Sequence, residues 1–332
     1  MLGLRRCYQI GYCSRFLSRK MGNDKSMPIL LVNVREGGMM RYLIIDGNFF
    51  MYRAIHKMGD LKRKDGLNTG MEYGFLRMVK ATVDKIKPNK IFVVFDSGIS
   101  PRRKMCLPQY KENRKNRHNR DGGRDVALTD MLTSLGISVF SYDGVEADDI
   151  IGLVSGLIEE KEELIIASSD TDFCQLIRKN VKVFNPIKRE YLESPVDPRR
   201  YVIYKAMVGD TADNIPGIKG IGPKKAKRKL DDSVEWKRIG DDWTPEESSI
   251  ISINEEVIFI PVDIDDFGLY YPKTDLDDFR QRFSDWMGWE GKCDFDKFFY
   301  FCRVMEFHSI ESNRTSWQNT FGEKITLDDV WD

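Results

Sequence analysis

An α/β fold, a mostly parallel twisted sheet with helices on both faces followed by a helical region, is predicted by three features of this chain. Short runs of branched and aromatic residues at 42–45, 91–95, 138–141 and 164–169 read as buried strands. Helix-spaced apolar residues separate them, and alternation of this kind implies right-handed crossovers in a layered architecture. Acids stand where the strands should end: Asp46, Asp96, and Asp170 with Asp172. In an open parallel sheet the ligand crevice lies beyond those carboxyl ends.

Residues 1–39 are set apart as an extension, dispensable or flexible. Up to Met21 they carry five Arg or Lys and no acid, a composition that also fits an organellar transit peptide. After the first strand, 69–87 places Met71, Phe75, Met78, Val79 and Val83 at near-helical spacing before Pro88 stops it. The stretch 101–124 interrupts the alternation. From Arg102 to Arg124 it holds nine Lys or Arg against two acids, and it reads as a basic, mobile insertion. A helix at 126–135 leads to the strand at 138–141. Ile150, Ile151, Leu153, Val154, Leu157 and Ile158 then form a helix stripe behind Glu146, Asp148 and Asp149, which fall in the first turn, where the dipole favours negative charge. The α/β unit is drawn at 40–195 and a mainly helical region at 196–308. In the latter, 201–208 is a helix, 215–226 a glycine-punctuated turn feeding another helix, 257–262 an edge segment and 295–308 a docked helix. A tail occupies 309–332.

With 332 residues, 41% hydrophobic and 31% charged, the chain can bury a sizeable core. No apolar run approaches the roughly 18 residues of a membrane span. Six scattered cysteines without a CxxC pair, and three histidines, argue against a zinc site and for free thiols in a reducing compartment. Formal net charge is zero, yet the charges are segregated.

Asp210 and Asp213 complete nine acids in five groups. Any one of them could be an ordinary capping residue; their placement after three strands and at two helix starts favours a common site. Such a site calls for hard divalent ions, Mg²⁺ or Mn²⁺, with substrate phosphates completing the coordination. Gly217, Gly220 and Gly222 do not follow the dinucleotide pattern, and no strand precedes them. They allow a tight turn whose N–H groups approach a phosphate, with Lys219, Lys224 and Lys225 adding charge. In the basic insertion, Lys111 and Arg114 lie three apart, suited to one helical face, beside Tyr110 as a stacking surface for a frayed nucleic-acid end.

These residues resemble the 5′ nuclease family: flap endonucleases, the 5′–3′ exonuclease domain of bacterial DNA polymerase I, and the bacteriophage exonuclease/RNase H branch, to which the compact spacing is most similar. The resemblance covers about 42–230. It rests on Ile45-Asp46-Gly47-Asn48, Val94-Phe95-Asp96, Tyr110-Lys111-Glu112-Asn113-Arg114, Glu146-Ala147-Asp148-Asp149, Ser169-Asp170-Thr171-Asp172, and Gly209-Asp210 through Asp213 to Gly217, in the family's order. It implies a PIN-like core, a basic arch and a helix-hairpin DNA-binding module. It further implies a first metal ion surrounded by Asp46, Asp96, Glu146, Asp148 and Asp149, and a second by Asp170, Asp172, Asp210 and Asp213, with a K⁺ at the hairpin. Two-metal phosphodiester hydrolysis is then expected, with Lys111 and Arg114 on the scissile phosphate and Tyr110 on a base. The implied partners are DNA with a 5′ flap, nick or free 5′ end, RNA–DNA hybrids, and a sliding clamp or single-strand-binding protein, in the cytoplasm of a bacterial or phage-infected cell. Leu327, Val330 and Trp331 among Asp328, Asp329 and Asp332 read as a disordered or self-packed end, with Trp331 covering a patch of its own domain, or as a tail that looks like a clamp-docking peptide. Two other readings are weaker. A haloacid-dehalogenase-like phosphatase needs an acid where Asn48 stands, and a catalytically weak DNA-binding scaffold would lack acids that are all present.

Overall fold

The computed structural model describes residues 39–114, 122–231, 243–272, 274–288 and 293–322. The N-terminal extension up to residue 38, the middle of the basic insertion and the last ten residues, 323–332, which hold the candidate clamp-docking peptide, lie outside the described residues, whereas the first part of the expected tail, 309–322, is mostly helical.

Six strands form one sheet: β1 (Arg41–Asp46), β2 (Lys90–Val94), β3 (Ser138–Phe140), β4 (Glu163–Ala167), β5 (Val181–Asn185) and β6 (Glu190–Tyr191). Their order is β3-β2-β1-β4-β5-β6, parallel throughout except for β6. Strand side chains alternate between faces. Leu43, Ile45, Val93, Ile165 and Ala167 join one core with α1 (Gly47–Met58), α2 (Gly70–Ile86) and α4 (Gly122–Ser134). Tyr42, Ile44, Phe92, Val94, Leu164 and Ile166 join a second with α5 (Ala147–Leu157). The expected strands and their flanking helices are present.

Three departures have physical causes. Gly47-Asn48 reads as a turn, yet α1 begins there directly, because Asp46 accepts from the Phe49 N–H at 3.0 Å and caps it. The hairpin of β5 and β6 is too short to stand out by pattern. The expected edge segment at 257–262 is no strand: α8 (Pro245–Ile258) ends inside it, and the chain then crosses α5. Gly152 and Gly156 make that crossing possible, since a Cβ on Gly156 would stand 1.7 Å from the Val262 carbonyl oxygen and one on Gly152 2.2 Å from Ile260.

The region after 195 is not one helical block. α6 (Tyr201–Val208), α7 (Pro223–Asp231) and α8 build a third core against Leu107, Tyr110 and Cys174. α9 (Ile264–Tyr270) and α10 (Leu276–Gly288) return to the α5 face through Phe267 and Phe279. α11 (Phe295–Val304), α12 (His308–Glu311) and α13 (Arg314–Phe321) cover the opposite face with Phe298, Trp317 and Phe321. The base of the basic insertion is also folded, as α3 (Pro101–Cys106), with Arg102 and Arg103 buried. No described helix is long and apolar enough to cross a membrane.

Candidate active site

Parallel strands deliver their carboxyl ends to one edge, and the strand order reverses at β1, with β2 and β3 added on one side and β4 and β5 on the other, where a crevice is expected. Asp46 ends β1. One of its oxygens caps α1 and the other accepts from the Ser168 hydroxyl at 2.7 Å. Burial pushes its carboxyl up to about 7, and Asp96 and Asp170 add to the shift. Asp96, beyond β2, accepts from the Ala147 N–H at 2.6 Å and from the Asn48 amide. Burial raises it too, opposed by the charge of Lys111.

The second group stands at the start of α5. Glu146 accepts from the Ser100 N–H (3.1 Å), Arg103, the Tyr110 hydroxyl (3.0 Å) and Lys111 Nζ (2.8 Å). Burial opposes its ionisation, but Arg103 and Lys111 outweigh that and pull it down to about 2. Arg103, 1% exposed, also reaches Asp148 at 3.2 Å and Asp149 at 2.7 Å, and its Nε donates to the Val257 carbonyl at 2.8 Å. Asp149 meets the Tyr271 hydroxyl through its second oxygen. Both Asp149 oxygens therefore meet protein donors, as do those of Asp46 and Asp96.

In the third group, Asp170 caps the 3-10 turn Thr171–Leu176 through the Asp172 N–H. Asp210 accepts from the Ala212 N–H at 2.7 Å. Lys205 on α6 joins the two parts, contacting Asp172 and lying 2.8 Å from Asp210. Burial pushes the Asp172 carboxyl up, and Asp170 pushes it further. Asp213 is buried, and its carbonyl accepts from the Lys111 N–H at 2.9 Å.

Negative charge at this edge is thus offset in part by protein cations. Among the described residues no three carboxylate, imidazole or thiol groups converge into a ready metal cage; Arg103, Lys111 and Lys205 stand among the acids. Arg103, Lys205, Tyr271, Ser168 and Asn48 were missed from sequence. Lys205 had a signal, as the only charge in the apolar helix 201–208. Arg103 sits in a basic run and had none.

Two expectations for the insertion are corrected. Tyr110 is 2% exposed, buried under the third core with Lys111 Nζ 4.9 Å from its ring, so it offers no face to a base. Lys111 does not share a helical face with Arg114. It precedes the short turn Glu112–Arg114 with φ of 54°, a left-handed conformation fixed by its bonds to Glu146 and Asp213. The side chain of Arg114 is outside the described residues. The exposed ring nearest Asp46 along α1 is Tyr52, edge-on to His56.

At the hairpin, Gly217 packs against the end of α6, where a Cβ would lie 2.2 Å from the Val208 carbonyl oxygen, so its role is close packing. Gly220 (φ 81°) and Gly222 face open space. Lys219, Lys224 and Lys225 are exposed, while Ala226 and Leu230 anchor α7 below.

The profile of the 5′-3′ exonuclease N-terminal, resolvase-like domain matches residues 41–203. A 5′-3′ exonuclease of Aquifex aeolicus is 29% identical over 266 residues, 74% of this chain and 92% of that protein. One from Buchnera aphidicola is 31% identical over 193 residues, 55% of this chain and 68% of the relative. Among solved structures, the T5 D15 protein co-crystallised with metal ions superposes with a TM-score of 0.50 at 21% identity, covering 80% of this chain and 98% of that one. The catalytic core of Rad2 in complex with DNA substrate gives 0.51 at 14%, covering 86% and 93%. Both are similar in fold. A strand-end acid site on a parallel sheet, a profile spanning that sheet and relatives matched over most of their length have one reading: the chain is a nuclease that belongs to the 5′-3′ exonuclease family.

Proposed function

We propose that the chain is a metal-dependent, structure-specific 5′ nuclease of replication or repair, hydrolysing phosphodiesters at 5′ ends, flaps, nicks or RNA primers of duplex DNA. The observation that carries this reading is the gathering of acids from β1, β2, β4, α5 and the α6 turn at one sheet edge, beside an exposed lysine hairpin. Carboxylates are the right donors for Mg²⁺ or Mn²⁺. Asp148 keeps 26% of its side chain exposed and Asp210 20%. With Asp46, Asp96, Asp170, Asp172 and Asp213 they would hold the ions. Bound there, two such ions supply an activated water and neutralise the leaving oxygen.

The protein's own groups do the rest. Lys111, held by Glu146, is aimed to stabilise charge on the scissile phosphate. Tyr52 offers an exposed ring to a terminal base. Lys219, Lys224 and Lys225, with the open turn at Gly220 and Gly222, grip a phosphate backbone without reading its sequence. The test is cleavage of 5′-flap, nicked and RNA-primed duplexes with and without Mg²⁺, by the wild type and Asp170→Asn. Cleavage should need Mg²⁺ and vanish in the variant while DNA binding persists; full activity of Asp170→Asn would overturn the reading.

A further inference from the structure

Tyr271 lies well outside the segment matched by the family profile, yet it touches the acid site. The chain leaving α8 crosses α5 on the backbones of Gly152 and Gly156, turns through α9 and buries Phe267 completely. Tyr271 follows, 5% exposed, its ring 4.9 Å from that of Phe267. Its hydroxyl donates to Asp149, and its oxygen is 3.0 Å from Ser100 Oγ. Asp149 in turn takes the Arg103 fork, which reaches Glu146 and Asp148, and Glu146 holds Lys111. The series Tyr271, Asp149, Arg103, Glu146, Lys111 is continuous, and four of its members are buried.

We propose that Tyr271 is a positioning residue of the nuclease: by occupying one oxygen of Asp149 it leaves Arg103 a single contact there, freeing the rest of the guanidinium to orient Glu146, Asp148 and, through Glu146, Lys111. Without the hydroxyl, Asp149 can turn both oxygens to Arg103, the bidentate geometry that guanidinium favours. Arg103 is then drawn from Glu146, and Lys111 loses its fixed direction. Small misplacements of this kind cost up to about 100-fold in rate. This inference rests on the proposed reading of the acids.

Tyr271→Phe removes one oxygen and keeps the buried ring. Single-turnover cleavage of a 5′-flap duplex should fall by about 10-fold or more, with DNA affinity unchanged within about twofold. Trp317→Leu, on the opposite face of the sheet, serves as a control for lost stability. A double-mutant cycle with Arg103→Lys, measured by urea unfolding of the metal-free protein, reads the coupling without turnover. The proposal requires a slow Tyr271→Phe, a Trp317→Leu that keeps its rate below its melting temperature, and non-additivity in the cycle. A normal rate in Tyr271→Phe, equal slowing by both variants, or an additive cycle overturns it. If Asp170→Asn remains active, the reading of the acids falls instead; if only Tyr271→Phe is normal, this inference alone falls.

Discussion

Replacing Lys205 by Met should expose how the acid site is held together. Its ammonium lies 2.8 Å from Asp210 and contacts Asp172, with side-chain exposures of 10%, 20% and 17% for the three groups. At an effective dielectric near 20, one pair at that distance is worth about 6 kcal/mol of gross attraction. Desolvation cancels much of it, so the net cost lies between that of a surface pair, under about 1 kcal/mol, and that of a broken buried pair, about 3–5 kcal/mol. The low exposures place Lys205→Met nearer the second. For a chain of this size that is a fall of about 4–7 °C in melting temperature, measured in EDTA at about pH 8, where the acids are ionised. Methionine preserves the apolar stem, so the loss reports charge. Mg²⁺ should restore more stability in the variant than it adds to the wild type, because a competing cation has gone; binding at about 100 times Kd is worth about 2.7 kcal/mol. An unchanged melting temperature in EDTA, or a loss that Mg²⁺ leaves untouched, would refute the assignment of Lys205 as the internal counter-ion.

Burial raises Asp46 from the ordinary carboxylate range to about 7, so the folded state holds a proton that the unfolded chain releases near pH 4; metal-free stability should therefore fall as pH climbs from about 4 to 7 and then level off. Urea unfolding across that window checks the sign, and a rise would contradict it. Paired substitution of Lys224 and Lys225 by Ala should weaken duplex binding alike across sequences and lower the salt slope by about 1 to 2 units, seen by fluorescence anisotropy at several salt concentrations. Gly156→Ala would drive a methyl into the Val262 carbonyl, and an overpacking cost of about 1–3 kcal/mol is expected; chemical denaturation of Gly152→Ala alongside it should give a loss of similar size.

The parts of this molecule that were legible in its sequence are those with a periodic or positional signature. Buried parallel strands are continuous apolar runs, so β1, β2 and β4 and the acids behind them could be placed. α1 was hidden because Asp46, Gly47 and Asn48 are turn formers, and only the capping bond to Phe49 makes them a helix start. β5 carries Lys182 in a five-residue run, too short for alternation to speak. Arg103 could not be distinguished from its solvated neighbours, since burial of one cation in a basic run depends on the carbonyls of α8, more than 150 residues away. Tyr110 had the opposite fate. Its surroundings looked like a solvated arch, but Glu146 and the third core claimed it.

Helices α11 to α13 shape what can be cut from this protein. The profile match ends at residue 203, inviting the idea of a minimal catalytic fragment. Yet Phe298, Phe299, Trp317 and Phe321 lie in the same core as Phe75, Val79 and Leu132. A fragment stopped at the profile boundary would present that apolar face to water as an adhesive surface for other copies. Its poor recovery would then reflect aggregation, with the catalytic residues themselves intact. A workable dissection has to run the other way, keeping the distal helices and shortening the loops between them.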